Sequence, residues 1–205
     1  MARFTPPLCD RCGDPLASWR DLHAGTAHAG ICRPCIERRS AVARSRAIGP
    51  YDGSLRAILH AFKYDGCRSL SHRLGDCLRQ CADDLLTGAD VVVPVPLHRS
   101  RWRARGFNQA AELAGRLGAP VLDVLKRTRA TPSQTGLSAA ARRDNVRNAF
   151  TLRRGLDAAG LRIVLVDDVS TTGATIEACA RVLRDGGAVE VSAATAARVV
   201  SQPTE

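Results

Sequence analysis

Two adjacent carboxylates followed closely by hydroxyls and a glycine are the residues whose types and spacing point most directly to chemistry. They lie in the run Asp167-Asp168-Val169-Ser170-Thr171-Thr172-Gly173-Ala174-Thr175. Ionised carboxylates are pure acceptors and suit a sugar diol. Ser170, Thr171, Thr172 and Thr175 add hydroxyl donors. Gly173 lets the backbone approach an anion closely, and Ala174 falls where a helix should begin, with free N–H groups that favour phosphate. A ribose carrying a 5′-phosphate would satisfy both halves of the run. The same residues admit a plainer description, a strand–turn–helix connection with a threonine-rich N-cap. The acid pair could instead hold a metal.

A second set is the quartet Cys9-x-x-Cys12 and Cys32-x-x-Cys35, with nineteen residues between the pairs. This spacing predicts a four-cysteine zinc site in which each pair forms a knuckle and the ion staples a segment too short for its own core. With all four ligands supplied by cysteine, no position is left for water or substrate, so the zinc is structural. Redox Cys-x-x-Cys pairs and disulfides are the other readings. Residues 1–45 lack the βαβ context of the first, and a cytosolic chain disfavours the second. His23 and His28 lie between the pairs and are expected to be bystanders. Cys77, Cys81 and Cys179 fall on helical apolar faces, where cysteine acts as a small hydrophobe.

A third set is basic. Leu97-His98-Arg99-Ser100-Arg101-Trp102-Arg103-Ala104-Arg105-Gly106-Phe107-Asn108-Gln109 concentrates arginines beyond a strand. Arg99, Arg103 and Arg105 are candidate ligands for a pyrophosphate. Arginines alternating with Trp102 would also suit single-stranded nucleic acid, through charge and stacking, or form a solvated basic loop. Lys63 is either a solvated helix end or a further pyrophosphate ligand.

These residues need a scaffold. Ile163-Val164-Leu165-Val166 reads as a buried parallel strand delivering the acids to the carboxyl edge of a sheet, the usual ligand edge of α/β folds. Ile176, Cys179, Val182 and Leu183 continue at helical spacing. Val91-Val92-Val93-Pro94 is a second strand ended by proline, and 110–117 a helix with a small-residue face. Leu55, Ile58, Leu59 and Phe62 predict an amphipathic helix, Leu70, Leu74, Leu78 and Leu85 another. A third short strand is expected over 121–125, an edge strand or turn over 145–152, and a last strand over 188–200. Residues 126–148 lack periodicity, and a polar connection of that length suggests a functional loop. The expected organisation is a metal module and linker over 1–45, an α/β domain over 46–200, and a frayed tail over 201–205.

Strand, Asp-Asp, two variable residues, Thr-Thr-Gly, one variable residue and Thr is the pattern of the phosphoribosyl-pyrophosphate (PRPP) loop of type I phosphoribosyltransferases, and this chain fills each position. Together with the cysteine quartet and Pro94-Val95-Pro96-Leu97-His98 leading to Arg105-Gly106-Phe107-Asn108-Gln109, the chain resembles the ComF family over nearly its whole length. The resemblance implies an α/β fold of type I phosphoribosyltransferase kind, a parallel sheet with helices on both faces, preceded by a small zinc ribbon. It implies transfer of phosphoribosyl from PRPP to a nitrogen nucleophile with Mg²⁺ on the pyrophosphate. Asp167 and Asp168 would hold the ribose hydroxyls and favour the cationic sugar, and residues 170–175 the 5′-phosphate. Arg127, Thr131, Gln134, Arg142 and Asn145 match the family pattern in a loop that closes over the reaction. ComF relatives are also associated with DNA uptake in natural transformation, so the alternative is a single-stranded DNA-binding protein on this scaffold. No nucleobase-specificity motif identifies an acceptor.

The 205 residues suffice for one α/β core and a small appendage. The formal net charge of +10 favours anionic partners without choosing among them. No run of eighteen apolar residues predicts a membrane span, and the start lacks a secretory apolar stretch, so a cytoplasmic location is expected.

Overall fold

Alternate residues of a strand face opposite sides of its sheet, and the apolar run before Asp167 is apolar on both sides. It therefore needs a helical layer on each face. The computed structural model describes residues 3–16, 30–37, 39–129 and 148–200. In chain order its elements are α1 (Arg33–Glu37), β1 (Ser45–Pro50), α2 (Gly53–Tyr64), α3 (Leu70–Cys81), α4 (Asp83–Leu86), β2 (Val91–Pro94), α5 (Arg99–Arg105), α6 (Gln109–Ala114), β3 (Leu125–Arg127), β4 (Phe150–Leu152), β5 (Arg162–Ser170), α7 (Ala174–Asp185) and β6 (Glu190–Arg198). β1, β6, β5 and β2 lie side by side in that order, all parallel.

Ile163 and Leu165 pack into a layer with Ile176, Cys179 and Leu183 of α7. Val164 and Val166 pack into the other, with Leu55, Leu59 and Phe62 of α2, Leu74 and Leu78 of α3, and Leu113 of α6. Each such side chain contributes about 1.5–3 kcal/mol on burial, so both layers hold the strand that carries the acids. α2 starts where the Asp52 carboxylate accepts from the Gly53 N–H at 2.7 Å. α6 starts at Asn108, whose Oδ1 accepts from Ala110 N–H while its Nδ2 donates to Val95 O.

Several expectations shift in detail. The helical stripe after residue 68 is two helices, broken at Ala82. The strand expected over 121–125 is displaced to Leu125–Arg127, leaving Val121 with a single parallel bridge to Val92. β3 pairs antiparallel with β4 as a separate two-stranded ribbon. The basic stretch expected as a loop is the helix α5, capped by His98 and ended by Gly106. Among the described residues no helix is long and apolar enough to cross a membrane.

The cysteine segment lies against the outer edge of β1. Phe4 N–H donates to Ile48 O at 3.2 Å, and Ser45 N–H to Arg11 O at 2.7 Å. Gly13 permits this approach. Its φ is +74°, and a Cβ there would sit 2.6 Å from Ser45 O.

Candidate functional site

The site arises where one strand outlasts its neighbour. Pro94 and Pro96 have no N–H, and the last bond from this segment to β5 is Val95 N–H to Val166 O at 2.9 Å. β5 continues against β6 alone, with Asp167 opposite Thr195 and Ser170 opposite Arg198. The acids were expected at the point where the strand leaves the sheet. Instead they remain in it, and 167–170 lack a described strand partner on one flank, at the carboxyl edge where α/β sheets bind ligands.

Alternation sends Asp168 toward the α2 layer. There Lys63 Nζ, in the last turn of α2, lies 3.1 Å from Asp168 Oδ1, with each side chain only 13% exposed. Asp167 follows the parity of Leu165 toward the α7 layer, where its charge acts on Arg127 and Cys179. Asp167 is half-buried as a residue, and its carboxyl is the enclosed end. Burial, then the charge of Asp168, pushes that carboxyl up to about 7, against the pull of the Asp168 N–H, Lys63 and Arg127. Arg127 is itself buried and lies over the Phe150 ring at 5.2 Å. Burial first, and the like charge of Arg101 second, push its guanidinium below the ordinary range. An anion beside Arg127 would offset its desolvation and the repulsion from Arg101.

Ser170 is buried, while Thr171, Thr172, Gly173 and Thr175 are half-buried around the turn. Gly173 has φ +74°, and no described atom lies within 4 Å of where its Cβ would be, so the turn borders open space. Ala174 N–H donates to Thr172 Oγ1 at 3.4 Å, and α7 runs twelve residues from this point. The helix end and the hydroxyls thus present donors beside the acids.

The arginines of α5 separate by face. Arg101 and Arg105 are half-buried, whereas Arg99 and Arg103 are exposed. Arg105 donates to Gln109 Oε1 at 3.1 Å and to Tyr64 Oη at 3.3 Å, and lies over the Tyr64 ring at 5.1 Å. The structure therefore gathers Lys63, Asp167, Asp168 and residues 170–175, with Arg105 one contact from Lys63's neighbour. It turns Arg99 and Arg103 outward. Arg101 was absent from the residues singled out, and Arg127 stood only as a pattern match. Arg101 and Arg105 lie four apart and share a face of α5, a relation that holds only once that segment is a helix. Thr131, Gln134, Arg142, Asn145, His23 and His28 lie outside the described residues.

The sulfurs of Cys9, Cys12, Cys32 and Cys35 all lie within 4.8 Å of one another, with Cys12 and Cys32 3.6 Å apart. A zinc tetrahedron with ~2.3 Å bonds has edges of about 3.8 Å, so the cluster fits that ion. The Cys32 N–H donates to Cys9 Sγ at 3.3 Å. Contacts with Cys12 and Cys35 hold the Cys9 thiol well below its usual range, while contacts within the same quartet and burial push the Cys12 and Cys35 thiols up, so the sulfurs share their protons as a group. Burial pushes the Cys179 thiol up, as suits a core residue.

Comparison with known proteins agrees with this geometry. The model of the phosphoribosyl transferase domain matches residues 75–204. Competence protein F of Haemophilus influenzae is 31% identical over 196 residues, covering 90% of this chain and 82% of that protein. DNA utilization protein YhgH of Salmonella typhimurium is 35% identical over 198 residues, 90% of this chain and 81% of that one. Competence protein ComFC of Bacillus subtilis is 28% identical over 206 residues, 97% of this chain and 80% of that protein. The chain belongs to the phosphoribosyl transferase domain family and, within it, to the ComF proteins.

Proposed function

We propose that the chain binds a phosphorylated ribose, PRPP or ribose 5-phosphate, at residues 167–175 and transfers the phosphoribosyl group to a nitrogen acceptor. The observation that carries this reading is the carboxylate pair on the freed flank of β5, directly before an open, hydroxyl-lined turn that starts α7. Ser170, Thr171, Thr172, Thr175 and the amides of Gly173 and Ala174 hold the 5′-phosphate. Lys63, Arg101 and Arg105 take the pyrophosphate, whose charge Mg²⁺ helps neutralise when bound. In the transfer the bond from the anomeric carbon to the pyrophosphate oxygen breaks, and pyrophosphate leaves with the electron pair. The acceptor nitrogen forms the new bond and releases a proton to solvent. Asp167 and Asp168 hold the ribose hydroxyls, and their negative charge favours the cationic sugar between these events.

Titration calorimetry tests the reading. PRPP with Mg²⁺ should bind the native chain and lose its heat in Asp167→Asn/Asp168→Asn. Undiminished binding by that double variant would remove the sugar-phosphate assignment.

A second reading is favoured by one observation. Trp102 is 55% exposed between the exposed Arg99 and Arg103, a stacking and charge platform suited to single-stranded DNA. The competence and DNA-utilization names of the relatives point the same way. On this reading Trp102→Ala weakens oligonucleotide binding that falls steeply with salt and ignores the aspartate changes.

A further inference from the structure

Two contacts tie the cysteine module to the two ends of the 170–175 turn. At the strand end, Ser170 is paired with Arg198 across β5 and β6, and Val199 N–H donates to Ser170 O at 2.9 Å. Arg198 reaches back to Asp14, two residues beyond Cys12, with Nη2 3.2 Å from Oδ2. The two side chains are 19% and 23% exposed, so water screens the pair weakly. Asp14 in turn is set by the knuckle, because Gly13 N–H donates to Cys9 O and Cys9 N–H to Asp14 O, both at 2.8 Å.

At the helix end, Glu177 sits in the first turn of α7, and its N–H donates to Gly173 O at 2.8 Å. Its carboxylate accepts from Ser40 Oγ at 2.6 Å and from Ala41 N–H at 3.1 Å. Ser40 and Ala41 belong to the segment that leaves the second cysteine pair. The turn is thus suspended between two anchors, each of which ends in the cysteine module.

We propose that Asp14–Arg198 and Ser40–Glu177 are positioning contacts through which zinc on Cys9, Cys12, Cys32 and Cys35 holds the 170–175 turn in its phosphate-binding shape, so that zinc and sugar phosphate bind cooperatively. The inference rests on the sugar-phosphate reading of the turn. The Asp14 carboxylate is taken up by Arg198, and the Glu177 carboxylate by Ser40, Ala41 and Arg181, so each acts on the turn through the chain that carries it or its partner. Coupling between sites is reciprocal: whatever factor zinc adds to phosphate affinity, the sugar phosphate must add to zinc affinity.

The test uses the full zinc-loaded chain with ribose 5-phosphate as probe. Calorimetry reads its affinity, and a colorimetric chelator reads zinc affinity with and without it. Removal of zinc should weaken ribose 5-phosphate at least about fivefold, and saturating ribose 5-phosphate should raise zinc affinity by the same factor. If the stripped chain unfolds, the comparison passes to zinc-loaded Asp14→Asn and Glu177→Ala. Each should weaken the sugar phosphate at least about fivefold, and zinc affinity should no longer respond to it. Glu177→Gln, which keeps an acceptor for Ser40, should recover most of the loss. Native affinity that ignores zinc, or variants with native affinity and native zinc response, would overturn the coupling alone. No ribose 5-phosphate binding by the zinc-loaded native chain would instead remove the sugar-phosphate reading, and the inference with it.

Discussion

At the scale of residues, the acids are chemically alike but sit in different surroundings. Asp168 has an ammonium at 3.1 Å, whereas Asp167 is enclosed and held up to about 7. In an unfolded chain an aspartate titrates near ~4. Between those values the folded state keeps a proton that the unfolded state has lost, so this group makes stability fall as pH rises from about 4 to 7. Urea midpoints measured across that window should show the slope, and Asp167→Asn should flatten it. Sugar-phosphate binding runs the other way. If both acids must be ionised, affinity rises with pH through about 7 and loses that dependence in Asp167→Asn. Gly13 carries a separate prediction. A Cβ there meets backbone oxygen at 2.6 Å in a left-handed conformation, so Gly13→Ala should cost about 1–3 kcal/mol and loosen zinc retention. Thermal melts with zinc analysis would measure both.

At the scale of elements, α5 divides its arginines between two faces, half-buried Arg101 and Arg105 and exposed Arg99 and Arg103. Arg101→Ala should weaken PRPP binding severalfold and leave ribose 5-phosphate, which lacks the pyrophosphate, nearly untouched. Arg103→Ala should alter neither and should weaken any oligonucleotide binding. Parallel calorimetry on the three ligands decides this. The strongly patterned elements were legible in the sequence: the apolar runs of β2 and β5, the stripe of α2, the turn opening α7, and the cysteine quartet. α5 was hidden because arginine at every second position shows no helical period and no apolar stripe. The length of β5 was hidden because its ladder past Asp167 depends on β6, residues away in the chain. Lys63 was ambiguous for the same reason, since its reach to Asp168 depends on where α2 crosses the sheet. Arg127 comes from a ribbon whose pairing no local signal specifies.

At the scale of the whole molecule, the cysteine segment covers an edge. Phe4 and Arg11 occupy backbone groups of β1 that would otherwise be open to another chain. Stripping zinc should therefore lower the melting temperature and promote self-association, read by light scattering with and without chelator. A stripped chain with unchanged light scattering and an unchanged melt would show that this edge is held by other means. The early stop of β2 has one more consequence. Past Val166 the flank of β5 turned away from β6 has no described strand partner, and its Asp168 N–H is taken by the Asp167 carboxylate at 2.8 Å. A ligand seated there would have to draw the carboxylate off that amide before the main chain could bind it. The aspartate side chain is thus the occupant that a newcomer must displace.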